Sequence, residues 1–438
     1  LLAALTISAS LVSASQIANA ASTRPVLTAP SVNVKPCSVA KQASAKNIST
    51  LHAIVQRADT GQILYEKNST QPARTASVLK VLTAAVALDV LGPDYRVTTR
   101  VVADPTDQTR IYLVGAGDVT LSRMPAEVTS YYANGPKLDT LSQQIQLWAA
   151  QNNTDVKTIV LDSTLFGEQQ DWHPTWSKLG LSQGYMAPVS ALQVDAGRLT
   201  AKSNPLRFIA KRTAEPITQA GKLFKTSLNK FGLATDALIK IGKAPEASVE
   251  IAQVQSQPMS VWVKNLLQVS DNALAEAIAR ISSIEFGLDG SMESLQPLFR
   301  KVLAAQGLPT GRLKIVDGSG LSRLNAVPAR FVNRVLFKIE QGSGNYSIIK
   351  STLPVSGKYG SLSTRFSQGK QASAAGLVRA KTGWILTGYS LAGYLTAADG
   401  TPLIFTVYNL KSSVNSAHRA ALDNLVYRFH RCGAALVG

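Results

Sequence analysis

The chain has 438 residues, 45% hydrophobic and 16% charged, which suits more than one folded unit and excludes a disordered polymer. Its formal net charge of +18 favours an anionic partner, but no basic run is interleaved with aromatics, so nucleic acid is set aside. The two cysteines and four scattered histidines show no metal-ligand spacing, so neither a metal nor another cofactor is expected, and they leave little material for a Ser-His-Asp triad.

Residues 1–17 are apolar with small hydroxyl residues and run into Ala18-Asn19-Ala20, an A-x-A cleavage pattern. Residues 1–20 therefore read as the remnant of a signal peptide and the protein as exported, periplasmic or otherwise cell-wall associated; a retained anchor is the alternative. Residues 53–57 and 62–66 read as strands around the turn Asp59-Thr60-Gly61. Residues 77–91 read as a helix apolar on nearly every side, hence buried, and stopped by Gly92-Pro93. Strand patterns at 98–102, 111–114 and 158–161, with helices at 138–151 and 222–231, occupy a long middle segment. A helix is expected over 271–282. Residues 390–396 and 403–408 look like paired strands joined at Asp399-Gly400, before a helix over 418–431. Both ends thus supply antiparallel strands and helices. The simplest assembly is an α+β domain built from 37–96 and 258–438 and interrupted by an inserted domain, 97–257.

Three short motifs carry chemistry. Ser77-Val78-Leu79-Lys80 places a serine and a lysine on one face of a helix start. A serine hydroxyl needs a base beside it, and a lysine serves once burial or a neighbouring cation lowers its pKa. Burial is available in this helix, and Lys381 is a candidate for the cation. Ser270-Asp271-Asn272 has the plain reading of an N-cap serine; the functional reading has Ser270 relaying a proton to a leaving nitrogen and Asn272 binding a substrate amide. Lys381-Thr382-Gly383 occurs once: Lys381 offers a charge for a carboxylate, Thr382 a hydroxyl, and Gly383 room for substrate against the strand. The backbone N–H groups of Ser77 and Trp384 would form an oxyanion hole. S-x-x-K also occurs at Ser38, Ser227, Ser347 and Ser367, and S-x-N at Ser413, so order and context select the set.

In that order the motifs resemble those of D-alanyl-D-alanine carboxypeptidases of the class C low-molecular-mass penicillin-binding type, the S13 serine peptidases. The resemblance extends to Val114–Leu121, to Ala187-Pro188-Val189-Ser190-Ala191-Leu192, to Asp317-Gly318-Ser319-Gly320-Leu321-Ser322-Arg323, and to the stretch from Leu353 to Phe366. It implies a transpeptidase/β-lactamase-like domain, an antiparallel sheet flanked by helices, interrupted by an inserted α/β domain. It also implies that Ser77 is acylated with Lys80 as base, that Ser270 and Asn272 form the second edge, and that Lys381 to Gly383 form the third. Peptidoglycan stem peptides would be substrates and β-lactams covalent inhibitors, with DD-endopeptidase action open alongside carboxypeptidase action; anionic wall polymers suit the charge. The chain departs from the family in carrying Trp384 where a Thr or Ser usually follows K-T-G, in Gly115-Ala116-Gly117, and in a shorter insertion.

Three rivals are weighed. A class A β-lactamase needs E-x-x-L-N, and Glu293-Ser294-Leu295-Gln296 fails it. Gly180-Leu181-Ser182-Gln183-Gly184 is a literal G-x-S-x-G but lacks an apolar strand before it. A catalytically idle wall-binding protein would more readily have lost Ser77 or Lys80. Cys37 and Cys432, at opposite ends of the mature chain, invite one disulfide in an oxidising compartment, since a split domain brings both termini to one sheet; two unrelated thiols are the alternative.

Overall fold

A computed structural model describes residues 36–167, 172–200, 210–342 and 344–437, so the expected signal segment lies outside the described residues. The first sheet is wholly antiparallel and runs Val378–Ile385, Gly388–Thr396, Pro402–Leu410, Thr50–Arg57, Ile63–Lys67. Its strands come from both ends of the described chain, and the central ones are buried on both faces, which accounts for their near-continuous apolar runs. The turn after Thr50–Arg57 closes with Gly61 at φ 74°, and the turn after Gly388–Thr396 closes with Gly400 at φ 84°, both left-handed positions that glycine adopts freely. One face is covered by helix Ser416–Cys432, whose Leu422, Leu425, Val426 and Phe429 sit on Val55, Leu391 and Phe405.

The other face meets an all-helical layer. Every residue from Lys80 to Leu88 of helix Lys80–Val90 is buried, because helices Met259–Val269, Asn272–Glu285 and Leu295–Ala305 pack around it. That explains a sequence apolar on every side. A short 3₁₀ turn, Ala76–Leu79, precedes it, so Ser77 sits on the tighter turn and Lys80 opens the α-helix.

A second five-stranded sheet runs Leu238–Ile241, Thr158–Asp162, Arg110–Val114, Thr98–Ala103, Val249–Gln255. Its first three strands are parallel and the rest antiparallel. Helices Leu138–Gln151 and Pro216–Lys230 bury one face of it around Ile145, Leu161, Phe224 and Leu228. The fold is α+β, an antiparallel sheet flanked by helices and interrupted by an α/β unit. The second of these helices begins six residues before the expected 222, with Pro216 in its first turn, where a missing N–H is no loss.

The termini meet. Cys37–Ser38 pairs in parallel with Leu436–Val437 beside the first sheet. Cys37 and Cys432 form a disulfide with a Cα–Cα distance of 5.3 Å.

Candidate active site

The free edge of the first sheet, the 3₁₀ turn carrying Ser77 and the start of helix Asn272–Glu285 converge. Lys80 is fully buried, and its Nζ donates to Ser77 Oγ at 3.0 Å, Asn272 Oδ1 at 2.7 Å and Ser319 O at 2.6 Å. Three acceptors match the three protons of an ammonium; a neutral amine would keep two bonds and turn its lone pair toward the third. Burial lowers the Lys80 pKa to about 8, against the upward pull of Asp317, Glu276 and Asp271. Burial, the first of the two causes read from the sequence, is the one that lowers it. Burial and then the neighbouring Lys80 charge hold Lys381 well below its ordinary value.

Lys381, also fully buried, donates to Ser270 Oγ at 2.7 Å and to Thr382 O at 2.8 Å, while Thr382 Oγ1 donates to Ser361 Oγ at 2.7 Å. Ser270 is not the N-cap. It ends helix Met259–Val269 in a left-handed conformation, φ 62°, and Asp271 caps the next helix by accepting from Leu274 N at 3.0 Å. The serine side chain is thereby released from capping and points at Lys381. Asn272, one residue on, faces Lys80 and donates to Tyr185 O at 3.1 Å.

Strand Val378–Ile385 brings its edge to Ser77. Ala380 N donates to Pro354 O and Val378 O accepts from Ser356 N, so the backbone groups of even-numbered residues point off the free edge. By the same alternation the N–H of Trp384 points off that edge, while its indole is about half exposed and tilted against Tyr389. Gly383 allows the close approach: a Cβ there would collide with Ser390 Oγ and stand 3.0 Å from Ser77 N and Thr75 O. That approach seats the turn that carries Ser77 directly beside the strand.

The sequence reading left several contributors without a role. The loop Asp317-Gly318-Ser319-Gly320 supplies the Ser319 carbonyl to Lys80; its strong motif was visible, its task was not. Asp317 accepts from Gly320 N, Ser322 N, Asn325 Nδ2 and Trp176 Nε1, all within 2.8 Å. Asp271 is clamped by Tyr132 Oη at 2.7 Å and by the buried guanidinium of Arg198 at 3.3 Å. Burial opposes ionisation of Asp271, yet Arg198, Arg212, the Leu274 N–H and Tyr132 together hold its pKa below the ordinary value. No local signal in the sequence links Arg198 to Asp271. The G-x-S-x-G segment is no nucleophile elbow: Ser182 is exposed on a four-residue helix and its Oγ donates to Leu179 O. The four histidines bond elsewhere, His52 to Asn68 O, His173 to Thr175, His418 to Asn415 and His430 to Thr396 O.

A serine, two buried lysines and an asparagine thus converge at the edge of an antiparallel sheet. The model of the D-Ala-D-Ala carboxypeptidase 3 (S13) family matches residues 38–208 and 199–429, and the chain belongs to that family. It is 29% identical over 379 residues to carboxypeptidase DacB of Mycolicibacterium smegmatis, spanning 86% of this chain and 79% of that protein. It is 28% identical over 419 residues to the D-alanyl-D-alanine carboxypeptidase of Actinomadura sp. strain R39, spanning 80% of this chain and 76% of that protein. Its fold is similar to that of penicillin binding protein 4 from Haemophilus influenzae, with a TM-score of 0.74 and 18% identity over 90% of this chain and 99% of that one.

Proposed function

We propose that this chain is a serine-type D-Ala-D-Ala carboxypeptidase that trims peptidoglycan stem peptides through an acyl-enzyme on Ser77. The observation that carries the reading is the wholly buried Lys80 Nζ, 3.0 Å from Ser77 Oγ, with a pKa lowered to about 8. Neutral Lys80 takes the Ser77 proton as Oγ attacks the carbonyl between the two D-alanines. The N–H groups of Ser77 and Trp384 stabilise the oxyanion. Ser270, held on Lys381, relays to the departing amine the proton that Lys80 has taken, so Ser270 keeps its hydroxyl and Lys80 is neutral again as base for the attack of water. Asn272 binds the substrate amide, and Lys381 and Thr382 receive the terminal carboxylate, whose charge draws Lys381 back to its cationic form. Water then hydrolyses the ester. The same steps open a cross-link whose acyl donor is D-alanine, which makes DD-endopeptidase action part of the proposal.

A β-lactam presents a similar amide and carboxylate, so it acylates Ser77 and remains there. The catalytic domain comprises 37–96 and 258–438 with 97–257 inserted, the protein is exported to the wall, and the +18 charge supports attraction to anionic wall polymers. Fluorescent penicillin should label the wild type at Ser77 and leave Ser77→Ala unlabelled, and a pentapeptide should lose one D-alanine. Label retained in Ser77→Ala, or rapid turnover of the β-lactam, overturns the reading.

A further inference from the structure

Glu276 takes no part in the chemistry above, yet its carboxylate is fully buried one helical turn beyond Asn272, on the same face of Asn272–Glu285. Its Oε1 accepts from Ser319 N at 2.8 Å and its Oε2 from Gly318 N at 3.1 Å. The carbonyls of the same two residues face the opposite helix: Gly318 O accepts from Thr83 Oγ1 and Ser319 O from Lys80 Nζ, each at 2.6 Å. The 318–319 backbone is thus pinned between two helices, by a carboxylate on one side and by Thr83 and Lys80 on the other. Gly318 is required for that fit, since a Cβ would stand 2.6 Å from Ala279 Cβ and 2.8 Å from Ala275 O. Asp317 cannot substitute for Glu276, because its own oxygens are taken by Gly320, Ser322, Asn325 and Trp176.

We propose that Glu276 is a positioning residue of the acylation step: it clamps the Gly318-Ser319 backbone so that the Ser319 carbonyl, with Asn272 Oδ1, orients Lys80 toward Ser77. The proposal rests on Lys80 being the base. Two fixed acceptors consume two protons of a neutral amine, which leaves its lone pair for the Ser77 hydroxyl. Without the clamp the loop carbonyl is free to turn away, and a proton of Lys80 can compete for the position that the lone pair must hold.

The charges around this unit define a distinguishing readout. Lys80 feels Asp317 from the loop, Asp271 from the S-x-N segment and Glu276 from the helix that follows, and its charge acts on Lys381. Glu276 faces Asp317 and Arg280; burial and Asp317 raise its pKa, while the Ser319 hydroxyl, Arg280 and the Gly318 N–H favour its ionised form. Removing its charge takes away one of the carboxylates that hold the Lys80 pKa up, so the base should deprotonate at lower pH. A packing role alone would not move that limb.

The test is the second-order rate constant for acylation of Ser77 by fluorescent penicillin, measured from pH 6 to 10 in the wild type, Glu276→Gln and Glu276→Asp, with thermal melting of each. Glu276→Gln should acylate on the order of 10–100-fold more slowly at pH 8, with its acid limb moved about half a pH unit or more toward acid. Glu276→Asp keeps the charge but withdraws it by one methylene, so it should lose rate with the limb nearly in place. Wild-type rates in both variants overturn the proposal, as does a Glu276→Gln profile parallel to the wild type with a loss equal to the unfolded fraction. If Glu276→Gln does not fold, the Asp variant decides: full wild-type rate refutes the clamp. A wild-type profile with no acid limb at all would instead sink the assignment of Lys80 as base.

Discussion

Replacing Arg198 with Met should uncouple the inserted segment from the S-x-N turn at a calculable cost. Arg198 is buried against the Tyr131 ring, 3.2 Å from its centroid, and ion-pairs with Asp271, which lies between Ser270 and Asn272. Methionine keeps much of the apolar volume but leaves a buried carboxylate without its nearest cation. Breaking a buried pair this way costs about 3–5 kcal/mol; the bonds from Tyr132 and Leu274 N and the field of Arg212 remain, so the lower figure applies. At about 2.1 cal/mol/K per residue, ~3 kcal/mol lowers Tm by roughly 3 °C in a chain of this size. The pH dependence has a definite sign. In the wild type the Asp271 pKa lies below its ordinary 3.8, so its stabilisation is fully present above that value and is lost as pH falls through the folded pKa. In the variant, burial dominates and raises the Asp271 pKa, so the penalty is largest at pH 7 and shrinks as the solution is acidified toward pH 5. Denaturant unfolding and penicillin acylation at both pH values measure it. A loss below ~0.5 kcal/mol, or one identical at the two pH values, would refute the account of Asp271 as an ion held by Arg198.

The remaining expectations concern the site and the termini. With Lys80 near pKa 8, wild-type acylation should rise with pH through about 8 and then level; a flat profile over pH 6–10 contradicts a lysine base. Lys381→Ala should lose far more activity on a free-acid peptide than on its amide, and equal losses would assign Lys381 to the support of Ser270 alone. Replacing Cys37 and Cys432 by Ser opens a loop with a sequence separation of 395, for which the chain-entropy model gives an upper bound of about 6 kcal/mol. The denaturation midpoint should fall while the acylation rate of the folded protein stays unchanged, and an unchanged midpoint would show that the bridge contributes nothing.

Much of this protein was legible in its residues because the relevant physics is local. Apolar runs bounded by turn residues marked the strands at both ends, an all-round apolar run marked the buried helix after Ser77, and the spacing of S-x-x-K put a hydroxyl and an amine on one face. Other features needed contacts that no local pattern supplies. Ser270 could be read as a helix cap or as a functional group; Asp271 takes the cap, and the left-handed turn leaves Ser270 facing Lys381. Gly383 also has a packing task that its motif did not reveal, the close approach of the turn that carries Ser77. The acceptors that hold Lys80 lie far off in sequence: Asn272 by 192 residues and Ser319 by 239. The sequence by itself determined which groups are available and which short segments become helix or strand, since propensity, periodicity and turn chemistry act over a few residues. Only the tertiary structure decided how basic those groups are and where their lone pairs point, because desolvation and hydrogen-bond direction depend on atoms that the chain brings together from hundreds of residues away.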